Sequence, residues 1–156
     1  MSVDVVTFGC RLNAFESEVI RRNAEGAGLD DLVVINSCAV TNEAVAQARQ
    51  SIRRLKRERP SARIVVTGCA AQTQPDMFAA MVEVDRVVGN DDKMHGEAWV
   101  TSRLAFDAAS SFGIAADEKI AVADIMAVTE MAPHLVEGFQ SGLTRALVQV
   151  QNGCGH

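Results

Sequence analysis

Aromatic residues are scarce in this chain, which has no tyrosine, one tryptophan and six phenylalanines. So few rings exclude a platform on which successive nucleic-acid bases could stack. No run of about 18 apolar residues occurs, so no membrane-spanning helix is expected. The opening MSVDVVTFGC lacks the basic start and cleavage site of a secretory signal. A cytoplasmic location is therefore expected. Positive charge is also short: the formal net charge is -5, which argues against gripping nucleic acid over the whole surface and leaves room only for a local basic patch. No Cys-x-x-Cys pair is present, which removes the zinc-ribbon and thioredoxin signatures. Internal repeats and low-complexity tracts are missing as well.

What is there is a chain of 156 residues, 48% hydrophobic and 22% charged, enough for one packed domain of ordinary size with some tail left over. Residues 3–8 (VDVVTF), 31–36 (DLVVIN) and 62–67 (ARIVVT) are short, β-branched apolar runs, the pattern of parallel strands buried on both faces. Helical stretches separate them. Asn13 followed by Glu16 reads as an N-cap with its reciprocal acid, ahead of an apolar stripe of Phe15, Val19, Ile20, Ala24 and Ala27 that ends at Gly26 and Gly28. A second helix starts near Thr41 or Asn42, carries Val45, Ala48, Ile52 and Leu55 on one face, and must stop by Pro60. Pro75 suits the first turn of a third helix reaching about Met81. A weaker strand at 86–88 precedes Gly89, with a fourth helix from near Asn90. The alternation predicts an α/β domain with an open parallel sheet and right-handed crossovers.

Beyond about Ser110 the pattern changes. Residues 107–142 read as a linker with a strand around 120–128, and residues 143–150 (LTRALVQV) as a further strand running into Gly153-Cys154. The expected division is a domain over 1–106, a linker over 107–142, and a separate C-terminal piece over 143–156.

The cysteines carry the chemistry. Cys10, Cys38 and Cys69 each follow a predicted strand, 28 and 31 residues apart, about one βα unit each time. The chain thus returns all three to the carboxyl edge of the sheet, where open α/β sheets bind ligands. Helix N-termini at that edge favour thiolate, the metal-binding form, and Gly9 and Gly68 would permit close approach of backbone and metal group. A single cysteine at a strand end is most often a small buried hydrophobe, but three in equivalent positions point to one metal site. Zinc could take the three thiolates with His95 or water as fourth ligand. A four-iron cluster usually takes four cysteines, and three would leave one iron open.

The strings TFGCRLNAFESE (7–18), VVINSCAVTNEA (33–44), IVVTGCAAQTQP (64–75) and VVGNDDK (87–93) closely resemble the N-terminal domain of the methylthiotransferases, two-cluster radical S-adenosylmethionine enzymes. The likeness covers about residues 3–93 and resumes at RALVQVQNGC (145–154). Glu16-Ser17-Glu18 and SCAVTNEAVAQARQSIRRLKR (37–57) are most similar to the branch that modifies threonylcarbamoyladenosine in tRNA. The resemblance implies a flavodoxin-like or Rossmann-like domain in which Cys10, Cys38 and Cys69 hold an auxiliary [4Fe–4S] cluster, its unligated iron carrying sulfur from a sulfur donor. It implies a second [4Fe–4S] cluster, tRNA and S-adenosylmethionine as partners, and methylthiolation at C2 of the adenosine derivative at tRNA position 37. Cys154 matches the first cysteine of the second cluster motif, while the other two would fall at 158 and 161, past His156; Gly155 stands where an acid or amide is common. The expectation is a truncated chain, inactive alone. The alternative is a stand-alone flavodoxin-like domain with a three-thiolate zinc site; a third reading is a structural domain with incidental cysteines.

Other features weigh less. Residues 49–59 hold Arg49, Arg53, Arg54, Lys56, Arg57 and Arg59 against one acid, Glu58. They form either an RNA-contacting face or, more commonly, a solvated one. Asn13, Asn36 and Ser37 stand beside the cysteines as possible donors to sulfur. His95 and His134 have no spacing partner and read as structural histidines.

Overall fold

Runs of valine and isoleucine set the centre of the molecule. The computed structural model describes residues 2–8, 11–38, 41–109 and 119–122, with the backbone alone at 11–13. Strands β1 (Val3–Thr7), β2 (Leu32–Ser37) and β3 (Arg63–Gly68) form from the three predicted runs, the latter two shifted by one residue. β4 (Arg86–Val88) follows, and β5 (Ile120–Ala121) lies at the start of the strand expected over 120–128, of which 123–128 fall outside the described residues. The expected strand over 143–150 also lies outside them. All five strands pair in parallel in the order β1-β2-β3-β4-β5, the open parallel α/β sheet that the βα alternation predicts. All six residues of the interior strand β2 are buried, whereas β1, at the edge, buries only Val3 fully.

Helices cover both faces. On one side α1 (Arg11–Gly26) and α5 (Gly96–Ala109) bring Ile20, Ala24, Trp99 and Phe106 against Val34, Val65 and Val88. On the other, α2 (Asn42–Glu58), α3 (Cys69–Thr73) and α4 (Pro75–Ala79) bring Ala48, Ile52, Ala70 and Phe78 against Val33, Ile35, Ile64 and Val66. Ile52, Phe78 and Trp99 have no exposed surface, and truncating side chains so placed costs about 2–5 kcal/mol each.

This arrangement departs from one expectation. β1-α1-β2 and β2-α2-β3 step the same way across the sheet with their helices on opposite faces, so the two crossovers have opposite hands. Flavodoxin-like sheets instead run 2-1-3-4-5, and crossovers share the right hand. The sequence could not show this, because a strand apolar on both faces does not say which face its helix will cover.

Local signals place the helix ends. α1 closes in a Schellman motif: Leu29 N–H donates to Ala24 O (3.1 Å), Gly28 N–H donates to Glu25 O (2.9 Å), and Gly28 takes φ +74°. Thr41 caps α2, its hydroxyl accepting from Ala44 N at 3.1 Å, and Arg59, outside the helical region at φ -133° and ψ 77°, ends that helix before Pro60. α1 is already helical at Arg11, so Asn13 is not its N-cap, and Glu16 lies beyond capping reach. The fourth helix begins later than predicted. A 3-10 turn (Asp92–Met94) intervenes before α5, held by Asn23 Nδ2–H to Met94 O (3.1 Å) and Trp99 Nε1–H to Lys93 O (2.9 Å). The short α3, starting at Cys69 itself, is an element the strand-and-proline signals did not reveal, and the Pro75 helix ends at Ala79.

Candidate metal centre

The carboxyl edge of the sheet is built on one polar row. Thr7, Asn36 and Thr67 are register partners across β1, β2 and β3, and all follow valines or isoleucines that fill the core below. Ser17 of α1 joins the row: its hydroxyl lies 2.7 Å from Thr7 Oγ1 and accepts from Asn36 Nδ2 at 3.2 Å. Asn36 and Thr67 have no exposed surface, and buried polar groups of this kind must be hydrogen-bonded to be tolerated. The row therefore defines where the hydrophobic core ends.

Cys38 and Cys69 stand one step above it. Ser37 and Gly68 are register partners, and the two cysteines follow them directly. Neighbouring parallel strands lie about 4.8 Å apart, so these two residues leave adjacent strand ends side by side. Cys38 is buried and Cys69, the first residue of α3, is half-buried. The close approach expected at Gly68 is real, though its partner is backbone. At φ +97° a Cβ there would lie 2.2 Å from Ser37 O, so only glycine brings the two strand ends this close.

Asn90 completes the described part of the edge. It is 7% exposed; its backbone N–H donates to Gln72 Oε1 of α3 at 2.9 Å, and its Nδ2 lies 4.0 Å from Cys69 Sγ. Its Oδ1 is buried without a hydrogen-bond partner among the described residues. Leaving such an acceptor unsatisfied costs about 1–3 kcal/mol. The sequence signal for Asn90 was present and unread. The βα junctions run Gly9-Cys10, Ser37-Cys38, Gly68-Cys69 and Gly89-Asn90, so the fourth carries an amide where the others carry a thiol.

Three residues beyond Asn90 lies one partner of a sealed ion pair. Lys93 has no exposed surface, and its Nζ binds the Glu16 carboxylate of α1, itself almost fully buried. Glu16 thus serves Lys93 rather than a helix cap. Its neighbours in the Glu16-Ser17-Glu18 string are buried too: Ser17 in the polar row, and Glu18 against Arg21 at 2.7 Å. The partners of Glu16 and Ser17 are distant in sequence, which is why pattern reading missed them.

The remaining predicted site residues separate. Cys10, on the two-residue step between Phe8 and Arg11, and Cys154 lie outside the described residues, as does His134. Among the described residues no group of three His, Cys, Asp or Glu side chains is placed to hold a metal ion. His95 turns to Asp91 (Nε2 to Oδ2, 3.3 Å) on a half-exposed surface. The Ser37 hydroxyl donates to Thr67 O at 2.7 Å, which commits its one proton away from sulfur. Soft thiol ligands select zinc, copper(I) or iron–sulfur groups over hard cations, so the donor set fits a group of that kind.

The basic stretch of α2 also divides. Arg54 pairs with Glu58 (2.9 Å) and Lys56 with Asp85 (3.5 Å), while Arg59 binds Asp4 and Asp31. Arg53 and Arg57 are exposed.

Comparison with known proteins follows the same residues. A profile of the uncharacterized protein family UPF0004 matches residues 2–89, which spans the edge from β1 to Gly89. The chain is 48% identical over 153 residues to the threonylcarbamoyladenosine tRNA methylthiotransferase MtaB of Rickettsia prowazekii, covering 98% of this chain and 33% of that protein. Against MtaB of Chlamydia pneumoniae it is 33% identical over 159 residues, covering 96% and 32%. Against MtaB of Bacillus subtilis it is 42% identical over 95 residues, covering 56% and 21%. The chain spans about a third of the length of the first of these curated relatives. With the cysteine-bearing edge inside the matched region, the chain belongs to the UPF0004 family, the N-terminal domain of MtaB-type methylthiotransferases.

Proposed function

We propose that this chain is the sulfur-handling, cluster-binding part of a tRNA methylthiotransferase, with Cys10, Cys38 and Cys69 as the ligands of an auxiliary [4Fe–4S] cluster. The observation that carries the reading is the placement of Cys38 and Cys69 directly after the Ser37–Gly68 register pair, on the edge that ends in Asn90. A cluster held by three thiolates supplies one iron open to a sulfur species. The chain's own residues do the rest. Gly68 draws the strand ends together, the Thr7, Asn36 and Thr67 row fixes their height above the core, and burial of Cys38 limits access of water.

For the whole protein we propose methylthiolation at C2 of N6-threonylcarbamoyladenosine at tRNA position 37; the relatives' name, threonylcarbamoyladenosine tRNA methylthiotransferase, supports the modified nucleoside and the transferred group. This would use S-adenosylmethionine and a second cluster, with Cys154 as one ligand of that cluster. Residues 1–106 would form the auxiliary-cluster domain, 107–142 the connection, and 143–156 the start of the radical domain, in a cytoplasmic enzyme. No helix among the described residues is long and apolar enough to cross a membrane. Arg53, Arg54 and Arg57 are exposed basic residues of α2, Arg54 beside Glu58, and would face RNA.

The test is anaerobic reconstitution with ferrous iron and sulfide, followed by metal and sulfide analysis. About four of each per chain are expected, lost when Cys10, Cys38 or Cys69 is changed to serine. Stoichiometric zinc in place of iron and sulfide would overturn the reading.

A further inference from the structure

The fourth βα junction ends in an amide where the first three end in thiols, and that amide reaches a thiol. We infer that Asn90 is a positioning residue for the Cys69 thiolate, donating an N–H···S hydrogen bond that sets the reduction potential of the group the cysteines hold. The inference rests on the cluster-binding reading of that edge.

Three observations converge on it. Asn90 Nδ2 stands 4.0 Å from Cys69 Sγ, within reach of a hydrogen bond to sulfur. A thiolate only accepts, so the amide must turn its NH2 toward the sulfur and its oxygen away, and Oδ1 is indeed the atom left without a partner. Finally, the residue is locked from both sides. Its backbone N–H donates to Gln72 Oε1 on the helix that Cys69 begins, and Lys93 N–H, three residues on, donates to Gly89 O (3.1 Å) while its buried ammonium binds Glu16. A side chain only 7% exposed, on a backbone held this firmly and with its oxygen unsatisfied, is not explained by packing alone.

A donor to a ligating sulfur stabilises the reduced, more negative form, and hydrogen bonds to cluster sulfurs are among the established determinants of potential. Asn90→Asp keeps the shape, removes the donor and adds negative charge. Asn90→Ala removes the group, and Asn90→Gln keeps the carboxamide. The measurement is a mediated redox titration of the anaerobically reconstituted protein, followed by its visible spectrum, on samples matched for iron and sulfide and checked for fold by circular dichroism. Asn90→Asp and Asn90→Ala are expected to titrate at more negative potential than wild type, Asp the more so, with Asn90→Gln nearest to wild type. An unchanged potential in Asn90→Asp overturns the inference. So does loss of fold or of iron uptake in that variant, which would make the amide structural. If the wild-type protein takes up no iron and sulfide, the cluster-binding reading itself fails and this inference with it.

Discussion

The two edges of the sheet solve opposite problems with different chemistry. At the amino edge, charges meet in the open. Arg59 joins Asp4, Asp31 and Ser2; Ser61 donates to Asp31; Arg63 and Lys56 flank Asp85. Asp4 and Asp31 remain about half exposed, so water screens these pairs and could replace them. At the carboxyl edge the polar groups are mostly neutral and buried. Hydroxyls and amides of the buried Ser17, Asn36, Ser37 and Thr67 are joined across elements, with Thr7 reaching Ser17 from the edge strand, and the Lys93–Glu16 ion pair is sealed from solvent. The amino edge tolerates loss of a contact. The carboxyl edge, where the cysteines emerge, depends on partners that water cannot replace.

Three substitutions would break or sharpen that contrast. Lys93→Met should be the most damaging, leaving the Glu16 carboxylate buried without its counter-charge, at a cost of about 3–5 kcal/mol by urea unfolding. Adding Glu16→Leu should recover much of it; a double variant no better than the single would show that the pair is not what holds the turn. Gly68→Ala comes next. It must carry both the left-handed backbone and a Cβ driven into Ser37 O, for an expected loss of about 3 kcal/mol. A stability within about 0.5 kcal/mol of wild type would mean the strand ends can part.

The smallest effect belongs to the amino edge. The Ser61 hydroxyl, and after it the Arg59 guanidinium, hold the Asp31 carboxyl below the ordinary carboxylate range. A group so depressed contributes stability above its unfolded value of about 3.9, and that contribution is lost as pH falls through the lower folded value. Asp31→Asn should therefore cost less than about 1 kcal/mol at pH 7, with the difference closing below about pH 4. A difference that persists at pH 2 would assign the effect to shape rather than charge.

Much of the fold was legible because its signals are local. Gly28 marks a helix exit whatever packs against it, Thr41 caps α2 through its own third neighbour, and the valine runs of β2 and β3 are recognisable as buried strands. The places where the reading failed share one cause. Asn13 and Glu16 matched a capping pair, but Glu16 was already committed to a lysine 77 residues away. The helix expected near Asn90 was delayed because Asn90, Lys93 and Met94 are each held by another element. Similarly, the six basic residues of 49–59 looked like one surface until Lys56 and Arg59 were found bound to acids of the amino edge.

For the candidate metal centre the division is the same. Strand-end placement of the cysteines follows from the alternation of apolar runs and helices, since each βα unit must return the chain to the same edge. The order of the strands, the face each helix covers and the choice of Asn90 as the amide beside Cys69 do not follow from it. Burial on both faces erases the pattern that would tell one face from the other, and a contact across β3 and β4 is made between residues that no local rule connects.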